Sequence, residues 1–269
     1  MSRTHTQFTA IVLAGDRGPD DAVAQAAGVS CKALVPVAGK AMLLRVLAAL
    51  AAAETVGSCL VCGSSSRLLQ QCPELAERVA DGRIRWLENA DSPSRSALAA
   101  LQALTDDTPI LLTTADHALL TPAMVDYFCG QALATDCDVV AGLARAELVQ
   151  QAFPESRRTV TRLRGDNYCG CNLFAFLTPR AASAVEFWKR VEAQRKNPLK
   201  IIKALGPITV LRYLFGRLTL AQGLARLSTL TGARAGVVWM PEAETAVDVD
   251  KIEDWQLAEK ILRKREQLP

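Results

Sequence analysis

The chain is poor in aromatic residues, in histidine and in net charge. Only 5% of its 269 residues are Phe, Trp or Tyr, so a core has to be built from Ala, Val and Leu. Two histidines, His5 and His117, are all that is present. No Ser-His-Asp or Cys-His arrangement for nucleophilic catalysis is offered. The formal charge is +3, from 31 basic and 28 acidic residues, a balance that does not point to nucleic acid. No run of about 18 uncharged apolar residues occurs, so no membrane-spanning helix is expected. Met1 to Thr6 is polar and the first apolar run is short, so no secretory leader is expected either.

Eight cysteines raise the question of zinc or disulfides. Cys59 and Cys62 form a CxxC, and Cys169 and Cys171 a CxC. The first pair lies inside an apolar run that reads as a buried strand. A zinc knuckle needs a turn there for its thiolates to converge. Reduced core cysteines in a cytoplasmic protein are the expectation.

Half of the residues are hydrophobic, and their patterning alternates between strand and helix. Phe8 to Leu13 reads as a continuous buried strand, followed by Ala14-Gly15 and a polar loop. Met42 to Ala53 reads as a helix, Ser58 to Cys62 and Ile84 to Leu87 as strands, Ser96 to Leu104 as a helix. Pro109 to Thr114 is a further strand, and Thr121-Pro122 opens a helix to Leu133. Strands are expected at Cys137 to Leu143, Asn172 to Leu177, Val237 to Met240 and Ala246 to Val249. Helices are expected at Ala181 to Lys196 and Ile252 to Arg265. Short connections between alternating elements predict an α/β Rossmann-like three-layer sandwich with a mostly parallel central sheet. The whole chain is expected to form one domain, with a helical insertion at about 181–232. Ligands of such sheets sit at the carboxyl ends of the strands, where Gly15, Gly63 and Asp116 should share one crevice.

Several constellations could carry chemistry. Leu13, Ala14, Gly15, Asp16, Arg17 and Gly18, with Lys32 further on, combine close backbone approach with positive charge, as a triphosphate needs. By itself a strand-Ala-Gly turn is more often only a turn. Asp116, at the end of Thr113-Thr114-Ala115, could hold Mg²⁺ or cap the next helix. His117 could touch substrate or fill the core.

IVLAGDRG followed by CKALVPVAGKAMLLRVLAAL resembles the signature of the sugar-phosphate and molybdenum-cofactor nucleotidyltransferases, the MobA-like NTP transferases of GT-A-like fold. The resemblance spans about forty residues in order. The chain departs from it at Asp16-Arg17-Gly18, where the family has Gly-x-Arg, and in a longer segment from Pro19 to Ser30. The resemblance implies that the loop wraps the triphosphate, that Arg17 and Lys32 contact phosphates, and that Asp116 binds the metal. Ala246-Val-Asp-Val-Asp-Lys-Ile-Glu-Asp-Trp255 resembles the family's closing segment, whose last strand carboxylate completes the metal site. Asp250 is preferred for that role, with Asp248 as the alternative. In a strand the two would point the same way. Asp91 to Leu98 resembles the segment that reads base and ribose, implicating Ser92, Ser94 and Ser96; helix capping is the plain alternative. Gly165 to Asn172 resembles the strand beside the acceptor phosphate. That implicates Gly170 and Asn172, with Arg162 and Arg164 nearby to recognise a phosphomonoester.

Together these readings imply a Mg²⁺-dependent nucleotidyltransferase acting on a nucleoside triphosphate and a phosphorylated small-molecule acceptor. A GT-A-type glycosyltransferase and a catalytically inactive nucleotide-binding regulator are the competing readings. The segment 197–232 is apolar throughout and punctuated by Lys200, Lys203, Arg212, Arg217 and Arg226. It reads as a helical hairpin that covers the sheet or forms a homodimer, or as a membrane-surface element.

Overall fold

The computed structural model describes residues 6–15, 20–104, 108–193 and 206–267. Its strands are Phe8–Ala14 (β1), Pro36–Val37 (β2), Lys40–Ala41 (β3), Val56–Gly63 (β4), Arg85–Glu88 (β5), Ile110–Thr114 (β6), Val139–Arg145 (β7), Thr161–Arg162 (β8), Asn167–Phe176 (β9) and Ala235–Trp239 (β10). One mixed sheet runs β10-β7-β9-β6-β1-β4-β5, with β8 paired to β9. β1, β4, β5 and β6 pair in parallel, as do β7 and β10. β9 is antiparallel to both β6 and β7. The sheet is thus mostly parallel, as the alternation of strands and helices predicts.

Helices cover both faces because β1 is apolar in both directions. Phe8, Ala10, Val12 and Ala14 enter the cluster that includes Leu43, Val46 and Leu50 of the helix Met42–Ala52 and Phe128 of the helix Pro122–Leu133. Ile11 and Leu13 enter the opposite cluster, with Ala97 and Ala100 of the helix Pro93–Ala103. A strand buried on both sides is an apolar run without alternation, which is how FTAIVLA reads. Thr121 caps its helix as the Thr-Pro start implies, its hydroxyl accepting from the Met124 N–H.

The helices Ser65–Leu68, Pro73–Ala80 and Ala146–Ala152 and the short strands β2, β3 and β8 are not among the expected elements, and two further segments differ near the site. Ala246 to Val249 is not a strand: a 3₁₀ turn, Ala243–Ala246, leads into an unpaired extended stretch. This stretch crosses the strand ends rather than joining the sheet, and the Val249 N–H donates to the Asp116 carbonyl at 3.0 Å. Its valines are buried all the same, so apolar content alone could not separate it from a strand. The segment Pro19 to Ser30, for which no element is expected, contains the helix Ala22–Ala26, capped by Asp21.

The segment read as a helical hairpin holds the helices Pro207–Leu214 and Leu220–Thr231. Lys200 and Lys203 lie outside the described residues. Among the described residues no helix is long and apolar enough to cross a membrane. All eight cysteines are free. Cys59 and Cys62, three apart on β4, point to opposite faces and could not share a metal.

Candidate active site

Register brings the strand ends together. Leu13 of β1 lies opposite Cys62 of β4 and Thr114 of β6, so Gly15, Gly63 and Asp116 follow at one edge. Gly63 has no room for a side chain there: a Cβ would stand 2.6 Å from the Leu68 Cδ1 and 3.2 Å from the Ala14 carbonyl. Gly15 is exposed at the end of its buried strand. Asp16, Arg17 and Gly18 lie outside the described residues.

A second apolar cluster sets the remaining geometry. Val23, Val35, Val37, Met42, Leu119, Val247, Val249, Ala258 and Leu262 pack into one buried group. Each fully buried aliphatic side chain contributes about 1.5–3 kcal/mol. The group joins the chain around residue 32, the loop after β6, and the terminal helix Ile252–Glu266. Trp255 adds a hydrogen bond from its Nε1 to the Pro36 carbonyl at 2.7 Å. In the β2–β3 turn, Ala38 and Gly39 both take positive φ (47° and 74°), and the Ala38 N–H donates to Glu259 of the same helix. Residues more than 200 positions apart are therefore held side by side.

At that junction the Lys32 ammonium donates to Asp116 Oδ2 and to Asp250 Oδ1, each at 2.6 Å. The Lys32 side chain is only 9% exposed, against 20% for Asp116 and 39% for Asp250. Burial on its own would lower the pKa of Lys32. The charges and hydrogen bonds of Asp116 and Asp250 outweigh it, and the pKa is raised. Asp116 is further fixed through Oδ1, which accepts from the Thr114 hydroxyl at 2.6 Å.

Asp248 does not share this ammonium. It faces Arg158, whose Nη1 donates to both the Asp248 carbonyl (2.8 Å) and its Oδ1 (2.9 Å). Oδ2 accepts from the Asn172 side-chain amide at 3.1 Å. Asn172 takes a left-handed φ of 48°, close to where the β7–β9 register slips. Such a bulge re-aims a side chain, here toward Asp248. Burial first, then the nearby charges of Asp116 and Asp250, raise the pKa of Asp248, against the opposing charge of Arg158. Arg158 Nη2 also lies 3.0 Å from Asp254, whose other oxygen accepts the N–H groups of Asp250 and Lys251. Asp254 thus orders the turn that presents Asp250.

A cleft of about 230 Å³ opens beside this cluster. It is lined by Arg157, Thr159, Thr161, Gly170, Asn172 and Asp250, among others. Gly170 and Asn172 are where the sequence reading places them. Arg162 and Arg164 are not among the lining residues. Thr161 lines the cleft, and Arg162, the next residue of the same strand, must point away. Arg164 sits on the β8–β9 turn, its N–H bonded to the Leu218 carbonyl. The sequence expectation names Arg162 and Arg164 without this alternation; the arginines that reach the cleft are Arg157 and Arg158, earlier in the same segment.

The three serines all have structural partners. Ser92 caps the helix Pro93–Ala103. Ser94 is fully buried and donates to Glu192, and Ser96 accepts from the Ala90 N–H. His117 is 1% exposed and has no open face toward the cleft. Burial pushes its pKa down to about 4, against the pull of Asp116 and the Thr245 backbone, so it is a neutral core side chain near pH 7.

A family model for the MobA-like NTP transferase domain matches residues 10–235. The chain belongs to that family. Among solved structures, this MobA-like transferase is similar to one described as a hypothetical transferase from Thermus thermophilus. The two share 31% identity over 93% of this chain and 99% of that one, with a TM-score of 0.76. It also resembles 4-diphosphocytidyl-2C-methyl-D-erythritol synthase from Anaerococcus prevotii, at 13% identity, 96% and 97% coverage and a TM-score of 0.59. A second synthase of that name gives 12% identity, 96% and 98% coverage and the same TM-score. At such identity these two bear on the fold alone. Among curated proteins no sequence match is found. The chain is therefore a nucleotidyltransferase by family, on the fold its sheet displays.

Proposed function

We propose that this chain transfers a nucleoside monophosphate from a nucleoside triphosphate to a phosphorylated small-molecule acceptor, in the presence of Mg²⁺ and with release of pyrophosphate. The observation that carries the reading is the meeting of Asp116 and Asp250 on the Lys32 ammonium, at the strand ends beside Gly15.

The donor set fits a hard divalent cation. Asp116, Asp248 and Asp250 offer only oxygen, and the pKa of Asp248 registers the charge of the other two. Among the described residues no three acidic, Cys or His side chains form a ready metal cage. Mg²⁺ usually relies on one or two carboxylates together with substrate phosphates, which suits this pair. Asp116 and Asp250 would hold the ion, with Asp248 beside them, and the ion when bound would offset phosphate charge and polarise the α-phosphorus centre.

The remaining chemistry belongs to the chain and its substrates. An oxygen of the acceptor's phosphate attacks the α-phosphorus. The bond from that phosphorus to the bridging oxygen breaks, and pyrophosphate leaves with the electron pair. The attacking phosphate is already ionised near neutral pH, so no base has to remove a proton. Alignment and charge neutralisation are then the main requirements. Lys32 would offset charge moving onto pyrophosphate, and the family resemblance assigns Arg17 the same task. Arg157 at the cleft rim suits a phosphomonoester, because a guanidinium can donate two parallel hydrogen bonds to it. Thr159, Thr161 and the Asn172 amide supply polar contacts for the rest of the acceptor. Gly15, where an added Cβ would meet nothing within 4 Å, leaves room for close approach of the nucleotide.

We further propose that the chain forms one catalytic unit, with 181–232 as an insertion. Eight free cysteines support a reducing, cytoplasmic setting.

The test is pyrophosphate release with each of the four ribonucleotides against a panel of sugar and alcohol phosphates. Acceptor-dependent release is expected for one base. In the variant Asp116→Ala it should fall by about 10²–10³-fold, the usual loss when transition-state charge stabilisation is removed. Release that no acceptor stimulates, or that survives Asp116→Ala unchanged, would overturn the proposal.

A further inference from the structure

Among the described residues, five of the ten exposed large apolar side chains lie within eight consecutive residues, Ile208 to Phe215. None of the residues in the helix Pro207–Leu214 is buried. Ile208, Leu211 and Phe215 follow the i, i+3, i+7 spacing of one helix face, and Leu214 borders it. Their exposures are 67%, 51%, 73% and 69%. Scattered exposed leucines need no explanation, but a contiguous apolar patch does.

Along the sequence the charge of this segment is of one sign. Between residues 193 and 241 the chain has eight Lys or Arg and no Asp or Glu, while the remainder carries 23 basic and 28 acidic residues. Arg212 and Arg217 flank the apolar face. An acidic or neutral surface would carry no such segregation.

We propose that the helix Pro207–Leu214 and the turn after it form a docking surface for an anionic lipid bilayer. The helix lies in the interface, its apolar side chains entering the acyl boundary and its arginines meeting the headgroups. A two-fold contact between copies of the chain is the poorer fit, because it would set Arg212 and Arg217 against the same arginines of a second copy. The surface also adjoins the cleft. The Leu218 carbonyl, just past the patch, accepts from the Arg164 N–H at the β8–β9 turn. Tyr213 comes near Tyr168, which pairs with the cleft residue Thr161. Docking would hold the acceptor cleft against the bilayer, where an acceptor phosphate carried on a lipid could enter it.

The experiment is flotation of the full chain with phosphatidylcholine vesicles, and with phosphatidylcholine–phosphatidylglycerol vesicles at about 3:1. The chain should float with the anionic vesicles only, and less at high salt. The double variant Leu214→Glu, Phe215→Glu should reduce flotation at least about tenfold. It should keep the wild-type melting temperature and the wild-type turnover on soluble substrates, because neither side chain touches the core or the cleft. Arg212→Glu, Arg217→Glu should reduce flotation on anionic vesicles as well. Failure of the wild type to float, or equal flotation of the apolar variant, would overturn the proposal. A lipid-independent dimer in light scattering that dissociates in the apolar variant would overturn it in favour of self-association. Flotation does not depend on turnover, so this outcome is separate from that of the proposed reaction.

Discussion

Replacing Lys32 by Met keeps the aliphatic stem and removes an ammonium shared by Asp116 and Asp250. Two hydrogen bonds of 2.6 Å disappear. A shielded hydrogen bond to a charged group contributes about 1.5–3 kcal/mol, which suits the 20% exposed Asp116. The bond to Asp250 is discounted to about 0.5–1 kcal/mol, because that carboxylate is 39% exposed and water screens it. The variant should therefore lose about 2–4 kcal/mol. At about 2–4 °C per kcal/mol for a chain of this size, the melting temperature should fall by roughly 5–15 °C. The assay is thermal unfolding in chelator-treated buffer, with Asp116→Asn and the double variant completing a cycle. The cycle should return a coupling of at least about 1 kcal/mol between positions 32 and 116. Added Mg²⁺ should raise the melting temperature of Lys32→Met more than that of the wild type, because the ammonium no longer competes for the carboxylates. A variant within about 2 °C of wild type, or additive single effects, would refute the claim that Lys32 holds this site together.

Other consequences can be checked separately. Thr121→Ala removes a helix cap whose hydroxyl accepts from Met124 N–H, so stability should fall by about 1 kcal/mol in urea unfolding, with turnover unchanged. The enclosed Asp138 accepts from the Arg234 N–H and the Thr178 hydroxyl, both at 2.7 Å, and these bonds hold its carboxyl below the usual carboxylate range. A depressed folded pKa stabilises the fold above the unfolded value and loses that stability as pH falls through the folded value. Asp138→Asn should thus be less stable than wild type at pH 7, and the gap should close below about pH 3.9. Burial pushes the Cys129 and Cys171 thiols up to about 12. Neither should react with a thiol reagent at pH 8 in the native protein, and all eight cysteines should react after unfolding.

The local elements were legible because each rests on short-range rules. An apolar run without alternation marks a strand buried on both faces, and β1 and β6 obey it. Thr-Pro marks a helix start, and Thr121 makes the bond that the pattern implies. The family resemblance supplied what composition and spacing could not, the pairing of Lys32 and Asp116 with one chemistry. The choice of Arg162 and Arg164 for the acceptor did not take strand alternation into account. Strand alternation sends Thr161 into the cleft and Arg162 away from it, while Arg158 is drawn off to Asp248 and Asp254.

What the amino-acid order determined by itself is the main strands and helices of the sheet and its covering layers, the free cysteines within apolar runs, and the presence of one acidic site mid-chain and another near the end. What only the tertiary structure decided is which carboxylate meets which cation. Asp248 and Asp250 are two residues apart in an apolar stretch that reads as strand, where both would face one way. The stretch leaves the sheet and crosses its edge, so one carboxylate turns to Arg158 and the other to Lys32. The reason is packing at long range. Val247 and Val249 are buried against Val35, Leu119 and Leu262, residues brought in from three distant parts of the chain, and no local pattern encodes that meeting.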